Sequence, residues 1–239
     1  MAGHSKWNNI KRKKEKTDSA RAKVFTKIGR ELSVAVKAGG PDPAANAKLR
    51  DAIAKAKQNN VPLDNIERLI KKAAGSTDTD NFEEMVYEGY AAGGVAVIVE
   101  ALTDNRNRTA GDIRHYFDKW GGSLGQSGSV MFMFDKKGMI GVNSQDCDED
   151  QALEDALDAG AQDFEPGEDG YIILTEPADF SKVRMALEQK GYDIIFSELS
   201  YIPQTTTAVD DDAKAKIDRL MDMLDDNDDV TNVFNNLEN

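Results

Sequence analysis

Residues 139–202 have the sequence MIGVNSQDCDEDQALEDALDAGAQDFEPGEDGYIILTEPADFSKVRMALEQKGYDIIFSELSYI, and this stretch decides the fold class. Its β-branched and aromatic segments predict strands at residues 139–142, near 163, at 171–175 and at 192–202. The spacing of apolar residues between them predicts helices at about 149–159 and 179–190. This β-α-β-β-α-β order is that of a ferredoxin-like domain, which we place at residues 136–203.

The segment before this domain has a different pattern, typical of a second α+β domain. Strands are predicted at residues 86–90, 95–102 and 130–134, and a helix at about 109–120, with a turn at Lys136-Lys137-Gly138. After residue 203, apolar residues at helical spacing precede a last predicted strand at 230–234. We expect residues 204–239 to fold back on residues 82–135 and complete a middle domain.

Residues 19–75 carry three helical patterns joined by short connections, which predicts a three-helix bundle. The first pattern runs from about Ser19 to Ala38 and is stopped by Gly39-Gly40-Pro41. The second has Asp42 as its predicted cap and Pro43 in its first turn, and ends near Asn59-Asn60. The third follows Pro62 and ends at Gly75. Overall, the sequence predicts an α+β protein whose N-terminal bundle is followed by two α+β domains.

The charge of the chain is divided very unevenly along its length. The net charge is −13, yet residues 1–75 hold 18 Lys and Arg against 7 Asp and Glu, whereas the remainder holds 12 against 36. A basic segment is attracted to polyphosphate, and an acidic body is repelled by it. Nucleic acid is therefore the partner expected for the N-terminal third.

The candidate nucleic-acid contacts lie in residues 1–18, which we call the basic arm, and on one side of the first helix. The arm has too few apolar residues to bury a face and is expected to be flexible. A solvated helix face is the usual explanation of a single basic run, but here the excess persists over 75 residues. Trp7 could stack on an unpaired base or anchor the arm against the bundle. The predicted contacts are Lys6, Trp7, Lys11, Arg12, Lys13, Lys14, Lys23, Lys27, Arg30 and Lys37.

A second basic feature is the segment Asp104-Asn105-Arg106-Asn107-Arg108-Thr109 at a predicted strand-to-helix junction, where Thr109 and Asp112 are spaced as a capping pair. Arginines beside a helix N-terminus can bind phosphate or carboxylate. Arg106 and Arg108 are therefore predicted either to contact a phosphate or partner, or to fix the loop to the acids around it.

Enzymatic sites find little support. The glycine-rich segment 121–128 precedes a predicted strand and lacks Gly-Lys-Ser/Thr, so a flexible turn is favoured over a phosphate cradle. His4 and His115 have no pairing pattern, and Cys147 lies among carboxylates that disfavour its thiolate. Residues 225–229 resemble the start of a calcium loop but lack its glycine and final glutamate, which favours a solvated acidic turn. A nuclease whose magnesium site consists of acidic residues alone remains an alternative.

Membrane and secretory classes are not indicated. No apolar run approaches the roughly 20 residues of a membrane span, and residues 1–16 lack the apolar stretch of a secretory signal. A single cysteine fits a reducing compartment. We expect a cytoplasmic protein without a membrane partner, cofactor, metal or small-molecule substrate.

Several motifs resemble those of the YebC family, which includes bacterial proteins labelled transcriptional regulators and the mitochondrial translational activator of cytochrome c oxidase. The resemblance covers essentially the whole chain and implies three domains, a cytoplasmic location and no catalytic centre. It leaves the target open between promoter DNA and messenger RNA or the ribosome. The motifs are GHSKWNNI (3–10), FTK (25–27), LR (49–50), NVP (60–62), YEGY (87–90), DNRNRT (104–109) and residues 121–130.

Two nucleic-acid hypotheses follow. In the first, the basic arm and bundle dock on ribosomal or messenger RNA and support translation. In the second, the bundle binds promoter DNA through a helix–turn–helix-like pair at residues 42–59 and 63–74. The outward residues of the second helix of this pair, Asn65, Arg68, Lys71 and Lys72, offer few groups for reading bases, which favours RNA.

Overall fold

The computed structural model describes residues 18–75, 82–145, 147–167 and 170–238. It is an α+β protein, as predicted, with two four-stranded antiparallel sheets. The chain divides into two compact units, one formed by residues 1–75 with 136–201 and the other by residues 76–135 with 202–239. None of the helices within the described ranges is long and apolar enough to cross a membrane.

The helices and strands follow in an order close to the predicted one. They are α1 (Asp18–Gly39), α2 (Ala47–Gln58), α3 (Leu63–Gly75), β1 (Glu83–Tyr90), β2 (Ala96–Thr103), α4 (Arg106–Lys119), β3 (Ser123–Leu124), β4 (Phe134–Asn143), α5 (Glu149–Ala159), β5 (Asp163–Pro166), β6 (Gly170–Thr175), α6 (Phe180–Gln189), β7 (Ile194–Pro203), α7 (Asp211–Asp226) and β8 (Val230–Asn235).

The three N-terminal helices pack around one apolar core, to which each contributes one face. Ile28 and Leu32 of α1, Leu49 of α2 and Ile66 of α3 are all buried in it. The apolar core residues of each helix are three or four positions apart, as on one face of a helix. This spacing is why the sequence pattern located the bundle correctly.

The start of α2 differs from the prediction. Asn46, not Asp42, caps the helix, because its Oδ1 accepts from the backbone N–H of Leu49 at 3.0 Å. Its amide nitrogen also donates to the carbonyls of Ala35 at 2.7 Å and Gly40 at 2.8 Å. An aspartate could not make those two donations, so Asn46 joins the end of α1 to the start of α2. Asp42 instead accepts from the N–H of Ala44 in the preceding turn.

In the second unit, the strands lie in the order β3-β1-β2-β8. β1 and β2 form a hairpin, and β8 from the C-terminal segment pairs antiparallel with β2. Helices α4 and α7 pack on one face of this sheet through Ile113, Phe117, Ile217 and Leu220. The strand predicted at residues 130–134 is wrong, because Met131–Met133 form a 3-10 turn.

The sheet of the ferredoxin-like part has the order β5-β6-β4-β7, which is the ferredoxin-like arrangement of a β-α-β-β-α-β chain. The predicted turn at residues 136–138 is wrong, because β4 runs through it without interruption. Gly138 pairs with Thr175 in β6, and a Cβ on Gly138 would lie 2.2 Å from Thr175 Oγ1 and 2.7 Å from the ring of Phe180. Close packing, not a turn, therefore requires this glycine.

Candidate nucleic-acid interface

The described part of the bundle is basic on its outside. Residues 18–75 include 12 Lys and Arg against 6 Asp and Glu. Its core consists of aliphatic residues and alanines, so the cationic groups lie around it. Such an arrangement leaves cations at the surface, where they can neutralise phosphates and release counterions.

The predicted contact residues are only partly within the described ranges. The arm residues Lys6, Trp7, Lys11, Arg12, Lys13 and Lys14 lie outside the described residues. On α1, Lys37 is exposed, whereas Lys23, Lys27 and Arg30 are half-buried. Half-burial is usual for a long basic side chain whose apolar stem packs along a helix surface.

The second helix contributes cations that differ in their surroundings. Lys48 and Lys57 are exposed. Lys55 pairs with Glu31 of α1 at 2.7 Å. Arg50 donates to the carbonyls of Pro43 at 2.7 Å and Ala44 at 2.9 Å, and thereby stabilises the turn before α2. Arg50 therefore has a structural task, whereas Lys48 and Lys57 are presented to solvent.

The third helix presents Arg68, Lys71 and Lys72, all exposed. Arg68 Nη2 donates to Asn65 Oδ1 at 3.1 Å on the same helix. Two of the four outward residues that the sequence suggested for base recognition are thus bonded to each other.

The bundle is held to the ferredoxin-like domain by a polar contact between α2 and α6. Arg184 Nη2 donates to Asp51 Oδ1 at 3.1 Å, and Ser181 Oγ donates to the same carboxylate at 2.7 Å. Asp51 and Glu31 both form ion pairs within the chain, so the charges of two of the six acids in residues 18–75 are neutralised by Arg184 and Lys55.

A second contact covers the edge of the ferredoxin-like sheet. Gln58 of α2 accepts from the backbone N–H of Ser197 in β7 at 3.1 Å and donates to its hydroxyl at 2.8 Å. β7 is an edge strand, and an uncovered edge N–H invites pairing with another chain. The side chain of Gln58 satisfies this N–H group.

The two arginines at the start of α4 are both engaged in ion pairs. Arg106 pairs with Glu83 at 3.2 Å, and Arg108 pairs with both Asp104 and Asp229 at 2.7 Å. These contacts match the alternative in which the arginines fix the loop. The hydrogen bonds that Arg108 donates to Asp229 and Asp104 raise its pKa. Binding of a phosphate or partner at this position stays a prediction.

Asp229 is the centre of a buried polar cluster that the sequence did not reveal. It is 4% exposed and accepts from Thr109 Oγ1 at 2.7 Å and from Thr103 Oγ1 at 3.2 Å. The expected solvated acidic turn is thus wrong at this residue. The predicted cap is also wrong, because Thr109 is buried and Asn105 caps α4 by accepting from the N–H of Arg108.

The glycine-rich segment is anchored by the buried carboxylate of Glu88. Its oxygens accept from the backbone N–H groups of Gly128 at 2.6 Å, Val130 at 2.8 Å and Met131 at 2.7 Å. Burial raises the pKa of Glu88, but the three N–H donors together outweigh it and hold the pKa below the ordinary value. The prediction of a flexible turn is therefore wrong at the C-terminal end of this segment, where the Glu88 carboxylate accepts hydrogen bonds from the backbone amides.

Groups suited to catalysis are few in the described ranges. Burial raises the pKa of the Cys147 thiol, and Asp148 and Asp155 raise it further, which disfavours the thiolate. Within residues 18–75, 82–145, 147–167 and 170–238, no group of three or more His, Cys, Asp or Glu side chains is placed to hold a metal ion.

Comparison with known proteins gives consistent matches over both parts of the chain. The family model for the "TACO1/YebC protein N-terminal domain" matches residues 5–76, and that for the "TACO1/YebC second and third domain" matches residues 82–237. A relative from Acetivibrio thermocellus is 57% identical over 99% of this chain and 98% of its own length. One from Caldicellulosiruptor saccharolyticus is 56% identical over 100% and 99%. Both carry the name "Probable transcriptional regulatory protein".

A solved structure is also similar over most of the chain. It is the crystal structure of a conserved hypothetical protein, Aq1575, from Aquifex aeolicus, with a TM-score of 0.83 and 45% sequence identity. The similarity covers 93% of this chain and 92% of that one.

Proposed function

Because the chain belongs to the TACO1/YebC family, we propose that it is a non-enzymatic, cytoplasmic regulator of gene expression that binds nucleic acid through its basic N-terminal region. Its preferred target is ribosomal or messenger RNA, where it supports translation. The observation that carries this proposal is the segregation of charge, with 18 Lys and Arg against 7 Asp and Glu in residues 1–75 and the reverse excess elsewhere.

The surroundings of the basic groups support binding rather than a purely structural use. Lys37, Lys48, Lys57, Lys71 and Lys72 are exposed on three different helices. Cations spread over several helices fit a phosphate backbone that is contacted at many points, because each neutralised phosphate adds affinity independently of sequence.

The preference for RNA rests on the few base-reading groups of the bundle. A recognition helix in the major groove usually presents Arg, Asn or Gln early in the helix. On α3 the early candidates are Asn65 and Arg68, which are bonded to each other at 3.1 Å. A basic arm joined to an acidic body is suited to a cleft in folded RNA, where the arm enters and the acidic domains stay outside.

DNA binding at promoters is the second candidate, and the names of the relatives favour it. The two relatives from Acetivibrio and Caldicellulosiruptor are both named probable transcriptional regulatory proteins. In this version α2 and α3 serve as the helix–turn–helix-like pair, and the exposed Lys71 and Lys72 contact the DNA backbone.

Crosslinking in living cells separates the two candidates. The full-length protein is crosslinked to nucleic acid, purified under denaturing conditions, and both the attached RNA and the attached DNA are sequenced. We expect reads concentrated on ribosomal or messenger RNA, and their loss in a variant with Lys11, Arg12, Lys13 and Lys14 replaced by Ala. Reads concentrated at discrete DNA sites would overturn the RNA proposal in favour of the promoter one.

Incubation of the purified protein with RNA and Mg²⁺ tests the non-enzymatic assignment. Cleavage of the RNA would contradict that assignment.

A further inference from the structure

The outward face of α5 carries two leucines that the described parts of the chain leave exposed. Leu153 is 37% exposed and Leu157 is 51% exposed, and their four-residue spacing places them side by side on the helix. A neighbouring face of α5 enters the core, through Ala156 and Ala159. Small residues of α5 thus pack against the core of its domain, whereas both of its leucines are exposed.

This pair differs from the other exposed apolar residues. Single exposed leucines or valines are ordinary on protein surfaces and need no explanation. Within the described ranges, six large apolar residues are exposed, and only Leu153 and Leu157 are neighbours on one helix face. The six are Leu63, Val86, Phe132, Leu153, Leu157 and Leu199.

Three exposed carboxylates lie beside the leucines on α5. Asp150, Glu154 and Asp158 lie on the same outward side of α5 and are exposed. None of the three forms an ion pair with a described residue. The ion pairs within this domain use other acids, among them Asp155 with Lys190, Glu176 with Lys137 and Glu188 with Arg184. The residues 136–201 as a whole contain 5 Lys and Arg against 16 Asp and Glu.

We propose that this face, which we call the α5 surface (Asp150, Leu153, Glu154, Leu157 and Asp158), is a docking site for a basic amphipathic helix of a protein partner. Its two exposed leucines would bury the apolar stripe of such a helix, and its three carboxylates would pair with the Lys and Arg along one side of that stripe. Nucleic acid does not fit, because the carboxylates repel phosphate. The chain would therefore hold nucleic acid with one part and a basic protein with another.

The test uses the full chain and a defined probe. The probe is a fluorescein-labelled 14-residue peptide of Leu and Lys in which the leucines form one helical stripe. We expect saturable binding by anisotropy that weakens as salt is raised. The variant Leu153→Gln with Leu157→Gln should weaken binding roughly tenfold, because the apolar contact is lost while helix propensity is retained. Glu154→Gln with Asp158→Asn should weaken binding and reduce its salt dependence.

Matched controls separate docking from simple attraction to an acidic protein. Asp218 and Asp222 of α7 are also exposed and four residues apart. Asp218→Asn with Asp222→Asn should leave peptide affinity unchanged, and a peptide of the same composition with its leucines scattered should bind weakly. Equal losses in the α5 and α7 charge variants, or unchanged affinity in the leucine variant, would overturn the proposal. Self-association that sedimentation detects and the leucine variant abolishes would instead assign the surface to a second copy of the chain, and would also overturn it.

Discussion

Arg184 of α6 donates to Asp51 of α2 at 3.1 Å, so a cation of the ferredoxin-like domain binds an acid of the basic bundle. The side chain of Arg184 is 4% exposed, whereas that of Asp51 is 30% exposed. A buried arginine depends on its partners, because an unpaired charge away from water is costly. This contact joins the basic bundle to the ferredoxin-like domain within one compact unit.

Replacing Asp51 with Ala should therefore destabilise the compact unit that contains both parts. Arg184 keeps its bond to Glu188 at 2.7 Å, so we expect a loss of about 1–3 kcal/mol rather than the full cost of an unpaired buried charge. Urea unfolding followed by far-ultraviolet circular dichroism measures it. The control is Asp212→Ala, which removes an exposed ion pair with Lys216 and should leave the midpoint unchanged. Equal midpoints for the two variants would show that the Asp51 contact contributes nothing.

Two acids that share one arginine should differ strongly in their effect. Asp229 and Asp104 both bind Arg108 at 2.7 Å, but the side chain of Asp229 is 6% exposed and that of Asp104 is 51% exposed. Asp229→Ala also removes the shortest hydrogen bond of the buried Thr109 hydroxyl, at 2.7 Å, so we expect a loss of about 1–3 kcal/mol. Asp104→Ala should have little effect.

Hydrogen exchange at β8 checks the same pair locally. Asp229 immediately precedes β8, and its loss should speed exchange of the amides that join β8 to β2. Unchanged exchange in Asp229→Ala, or the same acceleration in Asp104→Ala, would contradict a role for burial in this cluster.

The acid sensitivity of the second unit should depend on Glu88. Its pKa is lowered in the folded protein, so the stabilisation is complete above the pKa of an unfolded glutamate, about 4.3. It is lost as pH falls through the lower pKa of the folded state. Glu88→Gln should be destabilised by about 1–3 kcal/mol at neutral pH, and its difference from the native protein should shrink on acidification.

Melting temperatures between pH 7 and pH 3 measure this effect. Asp118 of α4 in the same unit is exposed, so Asp118→Asn is the control and should follow the native curve. A constant difference between Glu88→Gln and the native protein at all pH values would show that the carboxylate charge is not what the three amides bind.

The sequence predicted those features that depend on local patterns. The periodicity of Ile28, Leu32, Leu49 and Ile66 located the bundle, and the order of apolar segments after residue 139 identified the ferredoxin-like arrangement. Such patterns repeat over many residues, so one error does not change the result.

Features that depend on distant partners could not be predicted in the same way. Gly138 has the local pattern of a turn, and only the positions of Thr175 and Phe180 show that it is needed for packing. Asp229 lies in an acidic run that suggests solvent exposure, but it binds Thr109, which is 120 residues away. Single side chains of this kind carry no periodic signal, and their role is set by the tertiary fold.

The arm should dominate the salt dependence of nucleic-acid binding. Each phosphate neutralised by a Lys or Arg contributes roughly 0.7–0.9 to the slope of log affinity against log salt. Replacing Lys11, Arg12, Lys13 and Lys14 with Ala should therefore flatten this slope by up to about 3–4 and weaken binding steeply at low salt. Filter binding of the full chain to labelled RNA at several salt concentrations measures both quantities.

Smaller variants make the assignment to the arm quantitative. Lys13→Ala with Lys14→Ala should lose about half of the slope change, because two of four cations remain. The charge-matched variant Lys182→Ala with Lys214→Ala removes two exposed lysines from the acidic part of the chain and should leave the slope unchanged. The same slope in the four-residue variant as in the native protein would show that RNA binds elsewhere. The exposed Lys48, Lys57, Lys71 and Lys72 of the bundle would then be the next contacts to replace, since they too can neutralise phosphates.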